Sequence, residues 1–339
     1  MFVGMTKPTT PTTTTTTTTI KLGPHDVFPM ALGCMGMAKS GMYGASDDEE
    51  SIATIHAAID RGVNLLDTGD FYGTGTNELL VGRAIRDRRD KVLLSVKFGV
   101  MRGPDGSFLG QDGRPNAVKN SLAYTLTRLG VDHVDIYRPS RLDPAVPIED
   151  TIGAIADLVK AGYVRAIGLS EVGPETIRRA HAVHPIADLQ IEYSLLSRGP
   201  EAKIFPLLAE LGIGVTAYGV LSRGLLTRSR PASPADFRAH LPRFTGDNER
   251  LVAALEQIAA ERGVRPAQLA IAWVRAKGAR IIPLVGARTR RQLDESLGAL
   301  AVAPLTADEL ARIEEAVPAG AVSGARYQEH LMQYLDSER

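Results

Sequence analysis

The chain contains a single cysteine, Cys34, in 339 residues. One cysteine cannot form an intramolecular disulfide, and its isolation is typical of a protein in the reducing cytoplasm. Neither sign of charge is in excess, because 39 basic and 39 acidic residues give a formal net charge of zero. We therefore expect no broad electrostatic attraction to nucleic acid or to an anionic membrane surface.

Long apolar runs are also missing. No stretch approaches the roughly 20 consecutive apolar residues that a membrane-spanning helix requires. The N-terminal segment 1–19 is rich in threonine, contains Pro8 and Pro11, and has no basic region followed by an apolar one. It is therefore not expected to be a secretory signal. Since it has little to bury, we predict a flexible tail, followed by one domain over residues 20–339.

From Val27 onward, short apolar runs alternate with amphipathic helical segments. The clearest helical segments, 49–61, 117–129 and 148–161, carry isoleucine or leucine at spacings of three and four and are each followed by glycine. That pattern predicts helices that stop just before the next buried strand. The predicted strands are Val27–Leu32, Asn64–Thr68, Val92–Phe98, Val134–Tyr137, Val164–Leu169, Asp188–Tyr193, Gly214–Tyr218 and Arg280–Val285.

Repeated strand–helix units of this kind predict an α/β protein, specifically a (β/α)8 TIM barrel. Segments 248–277 and 307–317 are predicted to be additional helices that cover it. The competing fold is an open doubly wound sheet, which as a dinucleotide-binding protein would carry a Gly-x-Gly-x-x-Gly turn after its first strand. The segment 31–36, Ala-Leu-Gly-Cys-Met-Gly, does not fit that spacing. The barrel is therefore favoured.

Asp67, Tyr72 and Lys97 follow the second and third predicted strands. In such barrels the active site lies at the carboxyl ends of the strands. A tyrosine with its usual pKa of about 10 is a poor acid at neutral pH, but a lysine ammonium stabilises tyrosinate, and an aspartate keeps that lysine charged. The trio suits protonation of a carbonyl oxygen as hydride reaches its carbon. Taken singly, Asp67 could cap a turn, Tyr72 could be a loop aromatic, and Lys97 could be a rim lysine or a Schiff-base nucleophile.

Several motifs in register resemble the aldo-keto reductase superfamily. They are Asn64–Gly73 (NLLDTGDFYG), Asn77-Glu78, Ser95–Gly99 (SVKFG), Gly162–Ser170 (GYVRAIGLS), Gln190–Ser194 (QIEYS) and Ile282–Arg288 (IPLVGAR). The resemblance covers about Ile20 to Val317. It implies a barrel, the cofactor NADPH/NADP+, and reversible carbonyl reduction without metal or flavin.

The resemblance assigns a role to each catalytic candidate. Tyr72 would be the general acid/base, Lys97 would lower its pKa, and Asp67 would hold Lys97. The family usually has histidine at the end of the fourth strand, where this sequence has Ser140. Serine can donate a hydrogen bond but does not titrate near neutrality. Arg138, two residues earlier and hence on the same strand face, could supply a substitute cation.

The same resemblance assigns the cofactor-binding residues. They are Gly33, Met35, Ser170, Gln190, Tyr218, Gly219, Leu221, Arg223, Gly286, Arg288, Gln292, Glu295 and Ser296. Within this set, Ser170 and Gln190 would bind the nicotinamide carboxamide, and Tyr218 would stack on its ring. Arg288 would pair with the ribose 2′-phosphate, which favours NADPH over NADH. Packing for Tyr218 and a solvated helix start for Arg288 are the structural alternatives. Position 171 is Glu where many relatives have Asn, and the segment after Tyr218 lacks the usual Ser-Pro.

The substrate is expected to be a small carbonyl compound. We place its pocket on Tyr43, Phe98 and Arg138, among the loops 35–43, 101–111 and 222–244. Their methionines and aromatics suit a medium-sized aldehyde or ketone, such as a secondary-metabolite ketone, pyridoxal or a general aldehyde. Two other functions stay open: an NADPH-binding regulatory or sensor protein with little turnover, and a barrel aldolase or isomerase using Lys97 as a Schiff base. The oligomeric state is open too, a homo-oligomer included.

Overall fold

The structure is a computed structural model that describes residues 19–38, 43–44, 46–234 and 236–339. The predicted N-terminal tail lies outside the described residues apart from Thr19. The predicted (β/α)8 barrel is confirmed, because eight parallel strands form a closed sheet. In barrel order they are β3 (Ala31–Gly33), β4 (Leu65–Gly69), β5 (Leu93–Phe98), β8 (Val134–Pro139), β9 (Val164–Ser170), β10 (Ile186–Glu192), β11 (Gly214–Tyr218) and β12 (Ile281–Gly286).

Helices connect the barrel strands, and the last three helices follow the final strand. They are α1 (Asp48–Asp60), α2 (Thr76–Ile85), α3 (Pro115–Leu129), α4 (Ile148–Lys160), α5 (Pro174–Val183), α6 (Pro200–Leu211), α7 (Pro242–Thr245), α8 (Glu249–Glu261), α9 (Pro266–Ala276), α10 (Arg290–Leu297), α11 (Ala307–Ala316) and α12 (Glu329–Met332). Proline at the first position of α3, α5, α6 and α9 costs no helical hydrogen bond there and fixes a helical φ. Gly130 ends α3 at φ 66°, a left-handed conformation that favours glycine. No helix in the described ranges is long and apolar enough to cross a membrane.

An antiparallel hairpin of β1 (Ile20–Leu22) and β2 (His25–Val27) precedes the barrel. Its Leu22 lies so close to Gly214, the first residue of β11, that a Cβ there would meet the Leu22 side chain at 2.2 Å. The hairpin therefore covers the amino end of the barrel. The prediction of one strand over Val27–Leu32 was wrong, because Val27 belongs to the hairpin and the barrel strand begins at Ala31.

A second hairpin stands at the opposite, carboxyl end. It consists of β6 (Val100–Arg102) and β7 (Phe108–Gln111), directly after β5. The sequence interpretation treated this segment as loop. As antiparallel strands, it returns Gln111 to the barrel, where the Ser140 hydroxyl donates to the Gln111 side-chain oxygen at 3.1 Å. The hairpin thus forms one wall of the space above the strands.

Candidate active site

A cavity of about 1140 Å³ opens at the carboxyl ends of the barrel strands. Of the site residues predicted from the sequence, all but two lie on its wall. The lining predicted residues are Gly33, Met35, Tyr43, Asp67, Tyr72, Lys97, Ser140, Ser170, Gln190, Tyr218, Gly219, Leu221, Arg223, Gly286, Arg288, Gln292, Glu295 and Ser296. The two that do not line it are Phe98 and Arg138.

Lys97 is held in a buried hydrogen-bond network. Its ammonium forms an ion pair with Asp67 on the neighbouring strand and donates to the Gln190 side-chain oxygen at 2.9 Å. The second Asp67 oxygen accepts from Gln190 and from Ser95, both at 2.8 Å. Burial lowers the pKa of Lys97, and Asp67 opposes that shift. Both carboxylate oxygens are thus satisfied, and Lys97 is fixed in one position.

Tyr72 lies beside this network. Its ring centroid is 5.2 Å from the Lys97 ammonium nitrogen, and only 6% of the residue is exposed. Burial raises the pKa of Tyr72 well above its ordinary value, and Asp67 adds to the shift while Arg141 opposes it. The net direction is opposite to the lowered pKa that the sequence interpretation attributes to Lys97. In this structure the Tyr72 side chain is therefore held as a neutral phenol.

A tight turn positions Tyr72 above the barrel. The residue begins a 3₁₀ turn, Tyr72–Gly75, in which Gly73 adopts φ 57°. A Cβ at Gly73 would lie 2.3 Å from the Thr76 hydroxyl, so only glycine fits. Below the turn, the Thr68 hydroxyl donates to the Asn77 amide oxygen at 2.7 Å, and the Asn77 amide nitrogen donates to the Cys34 carbonyl at 2.9 Å. These buried bonds join the start of helix α2, which follows the turn, to strand β4 and to the segment after β3.

Arg138 and Phe98 were wrongly predicted to line the substrate pocket. Arg138 is fully buried, where it forms an ion pair with Asp188 at 3.0 Å and donates to Ser95 at 2.9 Å. Phe98 is also fully buried and stacks on Tyr137 with ring centroids 4.4 Å apart. Arg138 thus lies inside the barrel with its own counter-ion, and it cannot supply the missing cation beside Ser140.

Arg141 supplies a cation in that region, and the sequence interpretation overlooked it. It follows Ser140 by one residue, lines the cavity, and donates to the Ser140 carbonyl at 2.6 Å. Its other bonds reach the Tyr327 hydroxyl at 3.4 Å and the Ser170 hydroxyl at 3.5 Å. Because an arginine side chain is always protonated in proteins, Arg141 places a permanent positive charge at the cavity wall beyond strand β8.

The C-terminal segment 322–339 also closes over the cavity, which the sequence did not predict. Tyr327, Leu331, Tyr334 and Leu335 all line the wall. The Tyr327 hydroxyl lies 3.0 Å from the hydroxyl of Tyr218, the residue that is expected to stack on the nicotinamide ring. A signal was present in the sequence, because these apolar and aromatic residues recur beyond the last predicted helix without an assigned partner.

Two buried glutamates anchor that segment through Arg326. The guanidinium of Arg326 lies 2.5 Å from Glu171 and 3.3 Å from Glu192. Glu192 also pairs with Arg223 at 2.9 Å and with Arg243 at 3.2 Å. The departure noted at position 171 thus has a structural role. Arg223, which the resemblance places among the cofactor-binding residues, is directed at Glu192, and its guanidinium carbon lies 4.4 Å from the Tyr327 ring centroid.

Asp70, another polar residue beyond strand β4, lies off the cavity wall. One of its carboxyl oxygens is buried without a hydrogen-bond partner in the described part of the chain. Burial raises the pKa of Asp70 to about 7, with Glu78 adding to the shift and Arg128 opposing it. A raised pKa stabilises the fold fully below the unfolded pKa of 3.8, and this contribution is lost as the pH rises through about 7.

Asp70→Asn is therefore expected to raise the free energy of unfolding more at pH 8 than at pH 5, because asparagine never has to be ionised in this site. Urea unfolding at both pH values measures the difference. Asp157→Asn, at an exposed aspartate, is the control. An equal effect of Asp70→Asn at the two pH values would contradict the assignment of the raised pKa.

Comparisons with known proteins agree with this geometry. A model described as the aldo/keto reductase family matches residues 29–318. The "Probable aldo-keto reductase 1" of Glycine max is 40% identical over 323 residues, which are 91% of each chain. Among solved structures, the glycerol dehydrogenase AKR11B4 from Gluconobacter oxydans is similar with a TM-score of 0.80 and 28% identity, over 95% of this chain and 97% of that one. The holo form of the aldo-keto reductase AKR11C1 from Bacillus halodurans has a TM-score of 0.73 and 26% identity, over 92% and 98%.

Proposed function

The chain belongs to the aldo/keto reductase family, and from this premise we propose that it reduces an aldehyde or ketone to an alcohol with NADPH. Family and fold support an oxidoreductase that acts on carbonyl compounds. The observation that carries the finer proposal is the grouping of Tyr72, Lys97 and Asp67 on one cavity wall, from two neighbouring strands. Tyr72 is the proposed proton donor.

The cavity fits a dinucleotide. Near Tyr72 it offers the hydroxyl of Ser170, the amide of Gln190 and the ring of Tyr218. At the other end, it reaches the first turn of α10, where Arg288 and Arg291 supply cations. A Cβ at Gly286 would meet only one atom, at 3.9 Å, so the backbone there is open to close approach. Ser170 and Gln190 suit the nicotinamide carboxamide, and the Tyr218 ring can stack on the nicotinamide ring. The cations suit the 2′-phosphate of NADPH.

In the proposed reaction, NADPH held by Ser170, Gln190 and Tyr218 would supply a hydride to the carbonyl carbon. The Tyr72 hydroxyl donates its proton to the carbonyl oxygen, which completes the alcohol. The Lys97 ammonium stabilises the phenolate that remains, until a proton from solvent restores the phenol. Asp67 and Gln190 hold Lys97 in place. Ser140 is a hydrogen-bonding neighbour whose hydroxyl is engaged with Gln111.

The proposal is tested by following nicotinamide absorbance with NADPH or NADH and a panel of aldehydes and ketones. We expect turnover with NADPH and a higher kcat/KM with NADPH than with NADH, because Arg288 is the residue that we assign to the ribose 2′-phosphate. NADPH binding without turnover on any carbonyl would instead favour the regulatory function. Lys97 is 4% exposed and paired with Asp67, which argues against its use as a Schiff-base nucleophile. Borohydride should therefore trap no substrate on it.

A further inference from the structure

Resting on the proposed function, we propose that the substrate carries a carboxylate and that Arg141 binds it beside Tyr72. Arg141 lines the same cavity as Tyr72, at the carboxyl end of strand β8. An arginine in this position presents a planar fork of N–H donors that matches a carboxylate with two parallel hydrogen bonds.

Arg141 forms no salt bridge in the described part of the chain. Its three hydrogen bonds go to neutral oxygens, namely the Ser140 carbonyl and the hydroxyls of Ser170 and Tyr327. Its neighbours behave differently, since the buried Arg138 pairs with Asp188 and the buried Arg326 pairs with Glu171. Glu171 stabilises the charged form of Arg141 from a distance, but no carboxylate in the described part of the chain accepts a hydrogen bond from it, so an anionic ligand would be its direct partner.

The carboxylates near Arg141 already accept hydrogen bonds from other side chains. Asp67 is bonded to Lys97, Ser95 and Gln190. Glu171 accepts from Arg326 at 2.5 Å and from Ser337 at 2.7 Å. Neither can turn to Arg141 without leaving its own partners unpaired. The guanidinium therefore keeps donors available toward the cavity.

The wall of the cavity near this site carries a second arginine. Arg102, on strand β6, also lines the cavity and forms no ion pair among the described residues; its one bond goes to the Gly106 carbonyl at 3.2 Å. The opposing acidic residue of this hairpin, Asp105, accepts from Ser107 at the turn. Two arginines that form no salt bridge among the described residues thus line the cavity, which favours an anionic over a neutral carbonyl compound.

Matched pairs of substrates test this inference. Succinic semialdehyde and carboxybenzaldehyde are each compared with the corresponding methyl ester, which keeps the reacting aldehyde and removes the charge. In the wild type, kcat/KM for the acids should exceed that for the esters by about tenfold or more, and the ratio should fall with added salt. A wild-type enzyme that reduces the esters as well as the acids, or better, overturns the proposal.

Arg141→Gln is expected to lower the acid-to-ester ratio by about 10- to 100-fold, the range of a hydrogen bond to a charged group. Arg141→Lys keeps the charge without the fork and should restore part of that ratio. Arg178→Gln, at an exposed arginine outside the cavity, is the charge-matched control and should leave the ratio unchanged. An equal loss for acids and esters, or a weaker affinity for NADPH alone, would overturn the assignment of Arg141 to the substrate.

A binding measurement separates this inference from the proposed function. Benzoate, which cannot be reduced, should compete with the aldehyde in the wild type and compete at least tenfold more weakly in Arg141→Gln. If NADPH turnover of neutral aldehydes is present and benzoate does not compete, the reductase function stands and the carboxylate site fails. If no carbonyl is reduced but benzoate still quenches the fluorescence of bound NADPH in the wild type alone, the reductase function fails and the carboxylate site stands.

Discussion

Tyr72→Phe is expected to lower kcat by about 10²–10⁴-fold, the usual contribution of a positioned acid. The substitution removes only the hydroxyl, so the T-shaped contact of the ring with Phe71, at 4.7 Å between centroids, can remain. Steady-state rates with NADPH and the best aldehyde of the panel measure the effect. Fluorescence quenching should show that the variant still binds NADPH, because Tyr72 is not among the groups assigned to the cofactor.

A loss of turnover is informative only if other tyrosines can be replaced without effect. Tyr124→Phe is the matched control, since that side chain is 58% exposed on helix α3. It should leave kcat within twofold of the wild type. If Tyr72→Phe were as active as Tyr124→Phe, the proton would come from another group, and the assignment of Tyr72 would be wrong.

The barrel could be predicted from the sequence because local patterns specify it. Each helix has an apolar face, and several helices are followed by glycine. These glycines predict where each strand–helix unit ends. What failed was the interpretation of Val27–Leu32 as one strand. Val27 and Ala31 are both buried, but a turn separates them, and burial on both faces removes the alternation that marks a strand boundary.

The placement of Tyr72, Lys97 and Asp67 on one cavity could also be predicted, because parallel strands bring their carboxyl ends to one edge. The position of the Arg138 side chain could not be predicted in this way. Its position in the strand resembles that of a site residue, yet it turns to Asp188 inside the barrel. Which face of a short, fully buried strand holds a counter-ion depends on a partner 50 residues away, and no local pattern carries that information.

The packing of the C-terminal segment over the cavity also depends on contacts between residues that are far apart in the sequence. Arg326 meets Glu171 and Glu192, which are 155 residues and more than a hundred residues away in sequence. The sequence shows an ordinary arginine in a loop, and only the fold shows that three arginines converge on Glu192. Loss of the shared negative charge at Glu192 should therefore have a large effect on the free energy of unfolding.

Glu192→Gln is expected to destabilise the protein by about 3–5 kcal/mol, the usual cost of leaving buried charges without their partner. Glu192 is 1% exposed and accepts from Arg223 at 2.9 Å, from Arg243 at 3.2 Å and from Ser197 at 2.8 Å. Glutamine keeps the shape but leaves the guanidiniums without the shared anion. Urea unfolding at neutral pH measures the loss. Glu210→Gln, at an exposed ion pair with Arg178, should cost less than about 1 kcal/mol.

The pH dependence of that loss tests its electrostatic origin. Burial raises the pKa of Glu192, but Arg223, Arg326 and Arg243 outweigh burial and lower it from 4.5 to about 2. A depressed pKa contributes stability that is present above the unfolded value and is lost as the pH falls through the folded one. The difference in unfolding free energy between wild type and Glu192→Gln should therefore be constant above about pH 5 and shrink between pH 4.5 and about 2. A difference independent of pH would mean that glutamine disturbs the packing of the cluster rather than its charge balance.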